Sequence, residues 1–203
     1  MIGAEEDSAV RLYDTVSGVC AGKSFYLLEI SVSDWYSQLS PWPASEPGQF
    51  SGKGDSFLKL ITEDILSRTI ADNPDIDRSR IIIIGYSLAG LFSLWTLYKC
   101  DIFAAAASCS GSLWYSGFTE YMSTHEILGR PSVYLSLGSK EEKAKNRFFA
   151  TIGEKTREAA VLLKNDARVV SSEMVLNPGG HGIDVEKRLA LAADWCLENT
   201  KRD

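Results

Sequence analysis

Histidine is the scarcest chemically versatile residue in this chain: among 203 residues there are two, His125 and His181. Cysteine is nearly as sparse. Cys20, Cys100, Cys109 and Cys196 include no pair at C-x-x-C spacing, which removes a zinc knuckle and a dithiol redox motif from consideration. They read as small apolar residues of a reducing compartment. Lys and Arg number 21 against 27 Asp and Glu, for a net charge of −6. The one short basic cluster, Lys140 to Arg147, is interrupted by Glu141 and Glu142. Nucleic-acid binders carry a basic face, so no nucleic-acid partner is expected. No stretch approaches the roughly 20 apolar residues that span a bilayer. The acidic start MIGAEEDSAV lacks the basic and apolar regions of a secretory signal. The expectation is a cytoplasmic protein without a membrane partner. Repeats and low-complexity tracts are absent as well.

What is present is globular: 45% apolar and 24% charged residues, at a length that fits a single domain over 1–203. Glu5, Glu6 and Asp7 suit a helix N-terminus, and Val10, Tyr13 and Val16 continue at helical spacing to Gly18, predicting a helix over 5–17. FYLLEISV, residues 25–32, reads as a strand. An aromatic and proline-rich loop with Trp35 and Trp42 follows over 33–55, then a helix over 57–68 with Phe57, Leu58, Ile61, Ile65 and Leu66 on one face. RIIIIG at 80–85 is the strongest strand, its four isoleucines suiting a central parallel strand covered on both faces. Residues 88–99 read as a helix buried nearly all round. Strands are expected at 103–109, 133–137 and 168–176, and helices at 148–163 and 185–198. This alternation predicts an α/β fold, a mainly parallel sheet with helices on both faces. Ligands of such sheets sit beyond the carboxyl ends of the strands.

The junction of the best strand with the best helix reads Gly85-Tyr86-Ser87-Leu88-Ala89-Gly90. It matches the nucleophile elbow G-x-S-x-G, with Ala in place of the second Gly. In so tight a turn the residues two before and two after the serine face each other, so both must be small; Gly85 satisfies this, and Ala89 adds one methyl. Ser87 Oγ would project above the sheet, and the Leu88 N–H would become an oxyanion donor. The plainer alternative is a serine that caps the helix.

A serine hydroxyl needs a base. His181 lies in NPGGHG, directly after the strand at 168–176 and so on the same rim as Ser87, whereas His125 precedes a strand. His181 is therefore the candidate base. The acid is expected after the strand at 133–137. There Glu141 stands three residues past Gly138, with Glu142 its nearest rival and Asp184 a further one; the alternative is a solvated mixed-charge run. Tyr86, Trp35 and Trp114 are the candidate substrate-binding residues.

Taken in order, IIIIGYSLAGLFSLW, CSGSLWYSGF, YLSLGSKEEKAKNRFFATIG and the His181 loop resemble serine esterases of the α/β-hydrolase superfamily, the group related to enterochelin esterase and esterase D. SDWYSQLSPWPA looks like one small bacterial branch of it. The resemblance covers roughly residues 25–199. It implies an α/β-hydrolase fold, no metal or organic cofactor, and hydrolysis of a small-molecule ester through an acyl-enzyme on Ser87, with Glu141 as acid and His181 as base. The family's second oxyanion donor comes from a loop after an earlier strand. Here the chain starts almost at the first helix, and the expectation is a small version of the fold lacking N-terminal strands. That departure keeps two other readings in view: a non-catalytic binding or dimerisation module, with a homodimer through an exposed strand edge, and an acyltransferase using the same serine.

Overall fold

The computed structural model describes residues 1–3 and 8–200. Its strands are β1 (Ile2–Gly3), β2 (Ile30–Ser31), β3 (Pro43–Ala44), β4 (Phe50–Ser51), β5 (Ile82–Tyr86), β6 (Ala105–Cys109), β7 (Ser132–Gly138) and β8 (Ser171–Asn177). Its α-helices are α1 (Ser8–Val19), α2 (Trp35–Gln38), α3 (Gly54–Lys59), α4 (Leu66–Asp72), α5 (Leu88–Thr96), α6 (Phe118–Thr124), α7 (Arg147–Ala150), α8 (Ile152–Asn165) and α9 (Val185–Asn199). Six strands form one sheet in the order β2-β1-β5-β6-β7-β8, with every neighbouring pair parallel. β3 and β4 form a separate antiparallel pair.

Strand periodicity explains the two cores. Successive side chains of a strand point to opposite faces. Ile83, Ala106, Val133, Leu135 and Leu137 face one side, where they pack with Leu88, Leu91, Phe92 and Trp95 of α5 and Ile152, Ala159 and Leu163 of α8. Ile84, Ala105, Ala107 and Tyr134 face the other, against Leu12 and Val16 of α1 and Leu189, Ala190, Ala193 and Cys196 of α9. All nine residues of α5 are buried. The alanines of β6 let helices approach the sheet from both sides. Among the described residues no helix is long and apolar enough to cross a membrane.

Five expectations change. The helix predicted over 5–17 is seen from Ser8 to Val19, and its acidic start at 5–7 lies outside the described residues. The strand predicted over 25–32 contracts to Ile30–Ser31, because β1 offers only two residues to pair with it. The expected lack of N-terminal strands is corrected by β1 itself, which pairs with both β2 and β5. The helix predicted over 57–68 runs from Gly54 to Asp72 and is π-helical over Leu60–Ile65, a widening that apolar spacing does not reveal. The helix predicted over 148–163 is divided at Thr151 into α7 and α8.

Because the long strands run parallel, their carboxyl ends share one rim. β5 ends at Tyr86 before Ser87, β6 at Cys109 before Ser110, β7 at Gly138 before Glu141, and β8 at Asn177 before the loop that carries His181.

Candidate active site

Ser87 sits between β5 and α5 with φ 59° and ψ −122°. A side-chain-bearing residue rarely adopts this region, and it persists only where the surroundings impose it. They do so here. A Cβ at Gly85 would lie far inside contact distance of the Ala89 carbonyl and 2.8 Å from the Gly90 nitrogen; one at Gly90 would lie 3.0 Å from the Gly111 Cα. The turn is thus wedged between β5 and the segment after β6. The Ser87 N–H donates to the Cys109 carbonyl at 3.0 Å, and the Ser87 carbonyl accepts from Leu91 N–H at 3.1 Å and Ser112 N–H at 2.9 Å. Leu88 is the first residue of α5, where an amide has no acceptor within its own helix.

The half-buried Ser87 directs Oγ to His181 Nε2 at 3.1 Å, and His181 Nδ1 lies 2.7 Å from Glu141 Oε2. With the proton on Nδ1 donated to the carboxylate, the Nε2 lone pair faces the serine hydroxyl. Glu141 is 8% exposed, and its other oxygen accepts from Ser110 Oγ at 2.6 Å and the Gly138 N–H at 2.7 Å. Burial pushes this carboxyl's pKa up. The hydrogen bonds from His181, Ser110 and Gly138 outweigh that cost and hold it below its ordinary value. The imidazole side chain is 52% exposed, so it is open to solvent. Serine hydroxyl, oriented imidazole and buried carboxylate stand in one line, an arrangement able to activate a serine for nucleophilic attack.

Glu142, the rival acid, turns away to pair with Arg157 at 3.0 Å. Asp184 precedes α9 in a left-handed conformation. His125 is exposed, stacked on the Tyr121 ring with centroids 3.8 Å apart. Trp114 is half-buried among Phe50, Tyr115 and Phe149, and Trp35, at the start of α2, is half-buried against the same core. Tyr86 is buried, its hydroxyl donating to the His181 carbonyl and accepting from Arg188. Its ring lies beside the imidazole, with centroids 5.3 Å apart. Among the described residues no cluster of His, Cys, Asp and Glu could hold a metal ion.

Sequence reasoning missed Ser110, Ser112 and Arg188. Ser112 Oγ lies 3.5 Å from Ser87 Oγ. Ser110 is held at φ 44°, an unusual conformation for a serine, with its hydroxyl on the acid. The signal for the two serines is the CSGS text at the end of β6; Arg188 has none.

The family described as "Putative esterase" matches residues 29–184. No curated protein matches the chain. Solved structures do. The siderophore hydrolase EstA from Aspergillus nidulans aligns at 20% identity over 96% of this chain and 80% of its own, with a TM-score of 0.73. The siderophore hydrolase EstB from the same organism aligns at 19% identity over 90% and 78%, with a TM-score of 0.72. The BES protein from Bacillus cereus aligns at 16% identity over 97% and 79%, with a TM-score of 0.71. At these identities the likeness is one of fold.

Proposed function

The chain belongs to the esterase family, and from that membership we propose that it hydrolyses a small-molecule carboxylic ester through an acyl-enzyme on Ser87, with His181 as base and Glu141 as acid. That it is an ester hydrolase follows from the family; the residue roles rest on the site. The observation that carries them is the hydrogen-bonded line from Ser87 Oγ through His181 to the buried Glu141.

His181, protonated on Nδ1 and held by Glu141, takes the Ser87 hydroxyl proton on Nε2 as Oγ adds to the ester carbonyl. Glu141 fixes the tautomer and stabilises the imidazolium that forms. The oxyanion rests against the Leu88 N–H, whose helix points its positive end at the site. Collapse breaks the ester C–O bond, and the departing alkoxide receives the proton from Nε2. A water molecule then yields a proton to Nε2 and adds to the acyl carbon. Release of the carboxylic acid returns the proton to Ser87. No metal or organic cofactor enters any step.

Trp35 and Trp114 line the substrate side in this reading, and 1–203 acts as one domain. The Aspergillus neighbours are siderophore hydrolases, so an ester-linked siderophore belongs in the substrate panel beside simple acyl and aryl esters. The test is turnover of that panel by the wild-type protein and by Ser87→Ala and His181→Ala. Both variants should lose at least about 10³-fold in kcat while staying folded. Turnover by Ser87→Ala equal to wild type would sink the assignment.

A further inference from the structure

Arg188 is 2% exposed, on the first turn of α9. A guanidinium is almost never so buried unless it is paired; here both terminal nitrogens are, while Nε has no hydrogen-bond partner. Its partners all belong to the rim behind the proposed triad. Nη1 donates to the Tyr86 hydroxyl at 3.0 Å, to Ser110 Oγ at 3.1 Å and to Glu141 Oε1 at 3.3 Å. Nη2 donates to the carbonyls of Pro178 at 3.0 Å and Gly180 at 3.1 Å. Tyr86 then passes a hydrogen bond on to the His181 carbonyl. One planar fork thus ties together the ends of β5, β6 and β7 and the loop after β8.

Two groups are held by this tie. A carboxylate can rotate about its last bond; here Oε1 takes the donors from Ser110, Gly138 and Arg188, which leaves Oε2 aimed at His181. His181 rides on a loop with glycines at 179 and 180, the first at φ 94°, residues whose missing side chains leave the backbone few restraints of its own. Arg188 and Tyr86 grip the carbonyls of residues 178, 180 and 181 in that loop. The residue lies beyond the segment 29–184 that the family matches.

We propose that Arg188 is a positioning residue for ester hydrolysis: it fixes Glu141 and the His181 loop relative to each other and never touches substrate. The proposal rests on the triad reading above. Lys cannot replace it fully, because a single ammonium does not reach both groups with planar geometry.

The experiment measures kcat and KM on p-nitrophenyl acetate for Arg188→Met, Arg188→Lys, Glu141→Gln, the double variant Glu141→Gln with Arg188→Met, and Ser87→Ala. It adds the downfield NMR resonance of the His181 Nδ1 proton. A misplacement on the order of 1 Å costs about 10²-fold, so Arg188→Met should lose about that much in kcat with KM changed less than about 2-fold. Arg188→Lys should recover part of the loss. The downfield proton should fade in Arg188→Met and persist in Ser87→Ala. Because Arg188 acts by fixing Glu141 against the His181 loop, its loss where that carboxylate contact is already gone should cost only a few-fold more. Wild-type kcat in both Arg188 variants, or losses that multiply in the double variant, would overturn the role. If Arg188→Met fails to fold, Arg188→Lys with a native circular dichroism spectrum decides by the same readouts. An Ser87→Ala variant with full turnover refutes the triad reading itself; a dead Ser87→Ala beside fully active Arg188 variants overturns Arg188 alone.

Discussion

Replacing Gly85 with alanine probes the turn that holds Ser87, the proposed nucleophile. The added Cβ would meet the Ala89 carbonyl far inside contact distance and the Gly90 nitrogen at 2.8 Å. Comfortable separation is about 3.5 Å, and the atoms in the way are backbone, so no side-chain rotation relieves the clash. The start of α5 must move by on the order of 1 Å, and Ser87 moves with it. Such a displacement costs about 10²-fold in kcat/KM. Overpacking of this kind destabilises by about 1–3 kcal/mol, or roughly 2 to 12 °C in Tm for a chain of this size. Ester turnover and a thermal melt measure both quantities. Ala89→Gly is the control: it removes the methyl by which this chain departs from the usual motif, costs about 1 kcal/mol of helix propensity, and should keep kcat within a few-fold. A Gly85→Ala protein with wild-type turnover and Tm would refute this account of the elbow.

Glu141→Gln should lower kcat by about 10⁴-fold through loss of the required tautomer. It should also destabilise by about 3–5 kcal/mol, because the buried Arg188 loses its carboxylate; a melt unchanged within error would contradict that pairing. The folded-state pKa of Glu141 lies below the ordinary 4.5. Its stabilisation is therefore complete above pH 4.5 and lost as pH falls through the folded value, so the difference in Tm between wild type and Glu141→Gln should narrow below pH 4.5, and a difference constant down to pH 2 would argue otherwise. Burial pushes the thiol of Cys20 up to about 11 and that of Cys109 up to about 12, and raises that of Cys196 well above its ordinary value. None of these three should react with a disulfide reagent at pH 8 until the protein unfolds; rapid reaction in the native state would show that the α9 side of the core opens.

How far the sequence disclosed this site differs residue by residue. Ser87 was legible because its strand and helix are both strongly patterned and the turn between them demands Gly85. His181 was legible by scarcity, since only one of two histidines follows a strand end. Glu141 and Glu142 were separable only by local conformation: the 3₁₀ turn over Glu141–Lys143 sends one inward to His181 and the other outward to Arg157. Arg188 was not legible at all, because in the text VEKR nothing distinguishes the buried charge from its solvated neighbours. For Tyr86, a substrate-binding candidate in the sequence, strand alternation places the ring with the α9-side core and beside His181, a surrounding that the text GYS does not disclose. In the fold, the long parallel strands followed from their apolar runs. The contraction of the strand over 25–32 did not, because pairing depends on what lies alongside, and β1 supplies two residues.

The central claim is an activated serine at position 87. A fluorophosphonate probe needs that activation but no knowledge of the natural ester, and mass spectrometry locates its adduct. The account predicts a single adduct on Ser87 that is lost in His181→Ala and strongly slowed in Glu141→Gln. An unlabelled folded protein, or an adduct on Ser87 formed equally fast without His181, would contradict it.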